Sequence, residues 1–334
     1  MIRVGLLGAG WVASHHLAAW KRMAPVAKVV AIADPDLDKA ARLAGKFGVP
    51  AFYASAQELF QHCDIEVADI AAPRELHVPL VRLAAARGLA VLCQKPLADS
   101  YVEAVDLVGG LGGQTRLMVH ENWRFRPYYR QLATWLGENR LGAVHHVNME
   151  LLSSGLLADR SGTRSALERQ PFLAGLHRML VSEILIHHID TLRFLLGELE
   201  VVHARIGRTC SQIRGEDRVS VLFETREGVP VTLTGDLHTH GAPPVLTDRL
   251  RIVGDAGAAV LDDSVLRLDA AHGAEVLAFD HDAAYADSYA GAIRHFITCL
   301  ATGSEFETRP ADNLETLLLV EKIYAQGSLE SHQT

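Results

Sequence analysis

Two short stretches of this chain hold residues whose types and spacing could do acid–base chemistry. The first is Gln94-Lys95-Pro96, directly after the apolar run Leu89 to Cys93. If that run is a parallel strand, Lys95 stands at its carboxyl end, where open α/β sheets bind ligands. An ammonium there can hydrogen-bond a reacting oxygen and stabilise developing negative charge. A Lys-Pro bond can also be cis, which would set the lysine's direction; the plainer alternative is a surface lysine before a turn proline. The second stretch is Ser182-Glu183-Ile184-Leu185-Ile186-His187-His188-Ile189-Asp190. On an α-helix Glu183, His187 and Asp190 are i, i+4 and i+7 and share a face. Carboxylates beside an imidazole make it a better base, while a nearby ammonium acts the other way. His187 is therefore the candidate base. His188 points to the side of Val181, Leu185, Leu192 and Leu195 and reads as packed or at an interface. The alternative for the trio is a solvated helix face.

These residues need elements to hold them. The chain begins with an apolar run, Ile2 to Leu7, then a glycine turn and a helix start. Gly8, Gly10 and Ala13 fall on the G-x-G-x-x-G/A spacing of a dinucleotide-binding turn. Gly8 would allow the tight turn, Gly10 the close approach of a pyrophosphate, and Ala13 the packing of helix on strand. The phosphates would sit on the free N–H groups of that helix. Trp11 and Val12 lie within the turn and could close over the cofactor. Asp34 ends a second apolar run, Lys28 to Ala33, about 20 residues on, where an acid binds the ribose 2′-OH. A carboxylate there disfavours a 2′-phosphate, so NAD is expected over NADP. The alternative for Asp34 is a helix N-cap.

The first third continues with a helix from Leu37 to Phe47 closed by Gly48, and strands at Ala51 to Tyr53 and Val67 to Ala72. A helix from Glu75 to Arg87 with Gly88 as C-cap follows. A helix from Asp99 to Val108, capped by Asp99 or Ser100, leads to a strand at Arg116 to Val119. This alternation predicts a parallel doubly wound sheet. After His120 the pattern changes. Strands are expected at Ala143 to Leu152, Glu200 to Arg208, Asp217 to Thr225, Val229 to His238, Arg249 to Gly254, Ala258 to Leu261 and Val265 to Leu268. Helices are expected at Glu183 to Leu196, Tyr285 to Thr302 and Asn313 to Gln326. The long loop from Ser153 to Pro171 suits a functional segment. The expectation is a dinucleotide-binding Rossmann domain over 1–120. A substrate-binding and oligomerisation domain of α+β class, with a large, mostly antiparallel open sheet, follows over 121–334, its C-terminal helix able to pack back on the first.

Composition narrows the partners. A net charge of −8 argues against nucleic acid or an anionic membrane surface. No apolar run reaches the roughly 20 residues that span a bilayer, and no signal peptide is expected. Four scattered cysteines without C-x-x-C suggest reduced thiols and a cytoplasmic setting.

The motifs GLLGAGWVASHH (5–16), AAPRELHVPL (71–80), QKP (94–96), HENWRFRPYYR (120–130), SEILIHHIDTLRFLLGE (182–198) and ETLLLVEKIYAQG (315–327) give the chain a nearly end-to-end resemblance. It resembles the Gfo/Idh/MocA oxidoreductases, relatives of glucose–fructose oxidoreductase and inositol dehydrogenase. The resemblance implies hydride transfer between nicotinamide and a sugar or polyol carbon, and a homodimer or homotetramer built through the C-terminal sheet. It matches Lys95 to the lysine of an E-K-P motif, and Glu183 and His187 to the acid and histidine of a D-x-G-x-H pattern. Asn122 and Arg124 match a segment lining nicotinamide and substrate. Ala72, Pro73, His77 and Gln94 fall in motifs expected to border the cofactor. Gln94, Glu183 and Leu185 depart from the family's Glu, Asp and Gly, and Leu185 would narrow its wall. The Pro171-Phe172-Leu173 region with Arg178 is similar to a pentose-oxidising branch that includes D-apiose dehydrogenases.

The expected reaction is NAD-dependent oxidation of an aldose at C1 to a lactone, with a secondary ring alcohol as the alternative. His187 would take the hydroxyl proton, Glu183 orient it, and Lys95 hold the reacting oxygen. Arg124, Arg164 and Arg178 would bind substrate, although each is also an ordinary surface charge. Two rivals stand: an NAD-binding sensor or scaffold without turnover, and a metal-dependent hydrolase or lyase suggested by 17 histidines. The His15-His16, His145-His146 and His187-His188 pairs point in different directions on helix or strand, so no metal site is expected.

Overall fold

The structure, a computed structural model, describes residues 1–113, 115–271, 273–327 and 330–331. The chain forms two compact units: Met1–Arg126 with Tyr285–Leu317, and Pro127–Ala284 with Leu318–Thr334. A single cut at 120 does not describe this division. The first unit also takes a segment from late in the chain, because Ala292, Ile293 and Phe296 are buried in the same core as Leu6, Leu17, Trp20, Leu92 and Met118.

The first unit opens with β1 (Ile2–Leu7), α1 (Trp11–Lys21), β2 (Ala27–Ala33), α2 (Leu37–Phe47), β3 (Ala51–Tyr53) and α3 (Ala56–His62). It continues with β4 (Val67–Ile70), α4 (His77–Ala85), β5 (Ala90–Gln94), α5 (Tyr101–Gly110) and β6 (Leu117–His120). The strands form one sheet in the order β3-β2-β1-β4-β5-β6, every pair parallel. Their runs are nearly all apolar because helices cover both faces. The order reverses between β1 and β4, and such switch points are where doubly wound sheets bind ligands. Asp36 caps α2 by accepting from Lys39 N at 3.1 Å, and Ser100, not Asp99, caps α5 from Glu103 N at 3.2 Å. The helix expected over 75–87 is shorter. A 3₁₀ turn at Arg74–Leu76 precedes it, and its C-cap is Ala86 and not Gly88. Pro79 lies in the first turn of α4, where its missing N–H costs nothing.

The second unit begins with α6 (Pro127–Gly137) and β7 (Val144–Leu152). The loop that follows carries α7 (Ser165–Arg169) and a 3₁₀ turn at Pro171–Gly175, so it is partly ordered into helix. A π-helical turn at Leu180–Leu185 runs into α8 (Ile186–Leu196). Next come β8 (Leu199–Arg208), β9 (Arg218–Thr225), β10 (Pro230–Asp236), β11 (Asp248–Gly254), β12 (Gly257–Asp262), β13 (Val265–Ala270), β14 (Gly273–Ala278), α9 (His281–Thr302), α10 (Pro310–Gln326) and β15 (Glu330–Ser331). Among the described residues the sheet has nine strands in the order β14-β13-β12-β11-β7-β10-β9-β8-β15. Pairing is antiparallel except for β7 with β10 and β15 with β8. Burial alternates along β9 and β11, the mark of a sheet with one packed face.

The sequence reading omitted α3, α6, α7, β14 and β15. For α6 the signal was present: Pro127 at the helix start, then Tyr128, Leu132 and Trp135 buried at i, i+4 and i+7. For β14 it was weak, since this strand has no alternation of fully buried residues.

Candidate active site

The glycine turn joins β1 to α1. Gly8 has φ +107°, and a Cβ on it would lie 2.5 Å from Ala71 O and 2.8 Å from Ala72 N. The turn is therefore pressed against the segment leaving β4. Gly10 is the N-cap of α1, in extended backbone, and no side chain caps the helix there. A Cβ on Gly10 would meet nothing within 4 Å. The protein does not need a glycine at position 10 for its own packing, and the uncapped amides of α1 suit an anion. Ala13 is fully buried in the core. Trp11 is 62% exposed, with its ring 4.5 Å from that of His15, and Val12 is half-buried.

Asp34 follows β2, and its carboxylate ties this loop to the glycine turn. Oδ2 accepts from Ala9 N at 2.7 Å and Oδ1 from Asp36 N at 2.9 Å. It is not the cap of α2, which is Asp36. Each carboxylate oxygen has two acceptor positions, so Asp34 retains capacity for a diol. Together these features could hold a dinucleotide, with its ribose at Asp34 and its pyrophosphate at Gly10.

Around the end of β5, the Lys95–Pro96 bond is cis. His77 lies with Nδ1 2.6 Å from Pro96 O and Nε2 3.0 Å from Ala72 O. Burial, the largest cause, lowers the His77 pKa, and the two carbonyls push back. Its ring thus braces Ala72 and Pro96 against each other, with Pro73 leading into the 3₁₀ turn. Gln94 accepts from Lys95 N at 2.7 Å through Oε1. Asn122 donates to Ser288 Oγ at 2.7 Å. Arg124, 4% exposed, donates to Asp312 at 2.8 Å and to Glu307 O at 3.3 Å. That guanidinium is therefore engaged within its own unit rather than being a surface charge.

In the second unit, Glu183 sits in the π turn and His187 in the first turn of α8. The helix expected over 183–196 is thus two windings. The i, i+4 argument assumes about 100° per residue, which does not hold across the change. His187 is 8% exposed and Asp190 1%, so the trio is not a solvated face. His188 is buried, as expected, but against polar groups: its Nε2 is 2.9 Å from Asp248, which also accepts from Tyr129 OH at 2.8 Å. Leu185 is fully buried and packs over β10, its Cδ1 2.7 Å from where a Gly235 Cβ would stand. It fills core against a glycine and does not narrow an open wall. Arg178 pairs with Glu321 at 2.6 Å and lies over the Tyr324 ring. Arg164 is the N-cap residue of α7, with Nη1 3.5 Å from Gly162 O.

Glu216 was missed by sequence reasoning. It is fully buried, accepts from Met179 N, Val181 N and Tyr324 OH, and so anchors the amino end of the π turn that leads to His187. Burial, then the Glu216 charge, raises the Tyr324 pKa well above the phenol range, which keeps its hydroxyl a donor. No sequence signal marks Glu216, since its partners come from distant segments. Glu216→Gln should lower unfolding free energy by about 1–2 kcal/mol, by urea titration, since one of its oxygen acceptors becomes a donor. Wild-type stability would remove it as an anchor. Asp69, buried behind Gln94, was also not singled out, and His16 was read only as half of the His15-His16 pair.

Among the described residues, no group of three or more His, Cys, Asp or Glu is arranged to hold a metal ion. None of the helices among them is long and apolar enough to cross a membrane.

Residues 2–119 match the family described as an oxidoreductase family with an NAD-binding Rossmann fold, and residues 129–260 match the GFO/IDH/MocA C-terminal domain. A D-apiose dehydrogenase from Paraburkholderia graminis is 30% identical, over 96% of this chain and 86% of its own. An inositol 2-dehydrogenase from Rhizobium meliloti is 27% identical, over 96% and 95%. The crystal structure of an oxidoreductase from Agrobacterium radiobacter in complex with NAD+, L-tartaric acid and magnesium is similar with a TM-score of 0.89. It is 27% identical, with 97% of this chain and 96% of that one covered.

Proposed function

The chain belongs to the GFO/IDH/MocA oxidoreductases, and from that premise we propose that it is an NAD-dependent dehydrogenase of sugar or polyol hydroxyls, oxidising an aldose at C1 to a lactone. The observation that carries the reading is Lys95. It leaves the carboxyl end of β5 in the same unit that holds the Gly8–Gly10 turn and Asp34, its backbone fixed by Gln94.

Gly10, the amides of α1 and Asp34 would hold the cofactor, with Trp11, Val12, Ala13, Ala72, Pro73, His77, Gln94, Lys95 and Asn122 around it. Bound nicotinamide supplies the hydride acceptor. Lys95 donates a hydrogen bond to the substrate oxygen and stabilises its growing negative charge. His187 accepts the hydroxyl proton, and Glu183 orients the imidazole. Arg124, Arg164 and Arg178 contact the substrate in this reading; Arg124 is also held by Asp312 and Arg178 by Glu321. The free cysteines Cys63, Cys93, Cys210 and Cys299 support a cytoplasmic protein. A homodimer or homotetramer through the open sheet is part of the reading, and light scattering tests it.

The experiment is a panel of aldoses, their methyl glycosides and cyclic polyols, followed by NADH absorbance. C1 oxidation predicts turnover of the free aldose and none of its methyl glycoside. Turnover of inositols and of the glycoside would replace it with the secondary-alcohol reading, which the resemblance to an inositol 2-dehydrogenase favours. On the cofactor side, Asp34 should make kcat/KM for NAD exceed that for NADP by at least about tenfold, or 1.4 kcal/mol. Asp34→Ser should narrow that ratio. A wild-type NADP value above the NAD value would reverse the assignment.

A further inference from the structure

Behind Lys95 runs a buried polar chain of which only Gln94 also borders the proposed cofactor cradle. His16 and Trp20 come from α1, Asp69 from β4 and Gln94 from the end of β5. His16 and Asp69 have no exposure at all. Asp69 accepts from Trp20 Nε1 at 2.6 Å and faces His16 Nδ1 at 2.9 Å. On the other side of the ring, Gln94 Nε2 is 3.3 Å from His16 Nε2, and Gln94 Oε1 is 2.7 Å from Lys95 N. His120 and Tyr289 pack against the imidazole, with ring centroids at 4.3 Å and 5.5 Å.

The direction of every bond in this chain is fixed by its end. A backbone N–H can only donate, so Gln94 accepts from Lys95 with Oε1. The other end of that amide is then NH₂, which can only donate, so His16 Nε2 must carry a lone pair. A neutral imidazole with a bare Nε2 holds its proton on Nδ1 and donates it to Asp69. The result is a fully satisfied run from a buried carboxylate to the amide of Lys95.

We infer that His16 and Gln94, backed by Asp69, are positioning residues for Lys95: they hold its backbone, and with it the direction in which the ammonium leaves β5. The inference rests on the reading of Lys95 as the group that contacts the reacting oxygen. It gives α1, whose amino end forms the phosphate-binding turn, a second task at its middle. It also gives position 94 a chemical requirement. An amide satisfies both neighbours without charge. A carboxylate would keep the acceptor for Lys95 N but lose the donor toward His16 Nε2.

The test is Gln94→Met, which keeps the shape but has neither the acceptor for Lys95 N nor the donor for His16. Expected is a fall in kcat of about ten- to a hundredfold, the scale of a small misplacement of a reacting group. Gln94→Glu, which keeps an oxygen acceptor for Lys95 N, should recover most of that loss. His16→Ala combined with Gln94→Met should add little, because both break the same chain. Wild-type kcat in Gln94→Met, equal losses in Gln94→Glu and Gln94→Met, or fully additive losses would overturn the inference. Lys95→Ala separates the two levels. If it is inactive while the position 94 variants are unimpaired, only the positioning role falls. If it turns over normally, the catalytic reading falls and takes this one with it.

Discussion

Lys95→Ala and His187→Ala are each expected to lower kcat for hydride transfer by about two to four orders of magnitude, the range for losing a positioned acid–base group. NAD affinity should stay close to wild type in His187→Ala. For Lys95 the loss would be of charge stabilisation at the reacting oxygen. Its backbone would remain held by Gln94, so the alanine variant should keep its fold. For His187 the loss would be of the proton acceptor. The residue is nearly buried at the start of α8, where an imidazole is cut off from bulk water as a substitute base. Stopped-flow NADH formation and NAD titration of the same samples separate chemistry from binding. Unchanged turnover in both variants would discard the assignment. Tight NAD binding by the wild type with no turnover of any sugar would instead favour the sensor or scaffold reading.

The second large effect contrasts two glycines in one turn. Gly8→Ala should destabilise the protein by about 3–5 kcal/mol and abolish NAD binding. The new methyl group would meet backbone atoms of Ala71 and Ala72 at under 3 Å, at a φ of +107° that side chains disfavour. Backbone cannot rotate away as a side chain tip can. Gly10→Ala should change stability by less than about 0.5 kcal/mol, because its φ of −76° is ordinary and the space beside it is open. NAD affinity should nevertheless fall by at least about tenfold, since that space is where a phosphate would lie. Urea unfolding and isothermal titration on the pair decide it. If Gly10→Ala binds NAD normally, the turn is not the phosphate cradle.

The Rossmann unit was legible because its signals are local. Continuous apolar runs, the spacing Gly8-Gly10-Ala13 and an acid after the second run are properties of neighbouring residues. The structure returns β1, β2, α2 and β3 within a residue of the expected ends. Helix ends were less certain. Gly88 has the left-handed φ of a C-cap but falls beyond the actual one, as the chain had already turned at Ala86. In the second unit, seven expected strands were found, whereas β14 passed unnoticed for lack of a buried face.

By itself, then, the sequence determined which residues could do chemistry: Lys95 at a strand end, His187 among carboxylates, Asp34 beyond a glycine turn. Type and spacing along a strand or helix suffice for that. Only the tertiary structure decided what those residues rest on. The π turn changes the winding between Glu183 and His187, and Glu216, far along the chain, fixes its start. Asp36, two residues after Asp34, takes the capping role and leaves Asp34 on the glycine turn. Asp69, His16 and Gln94, far apart in sequence, meet behind Lys95. Hydrogen bonds between distant segments leave no periodic trace, because each partner is specified only by where the fold brings the other.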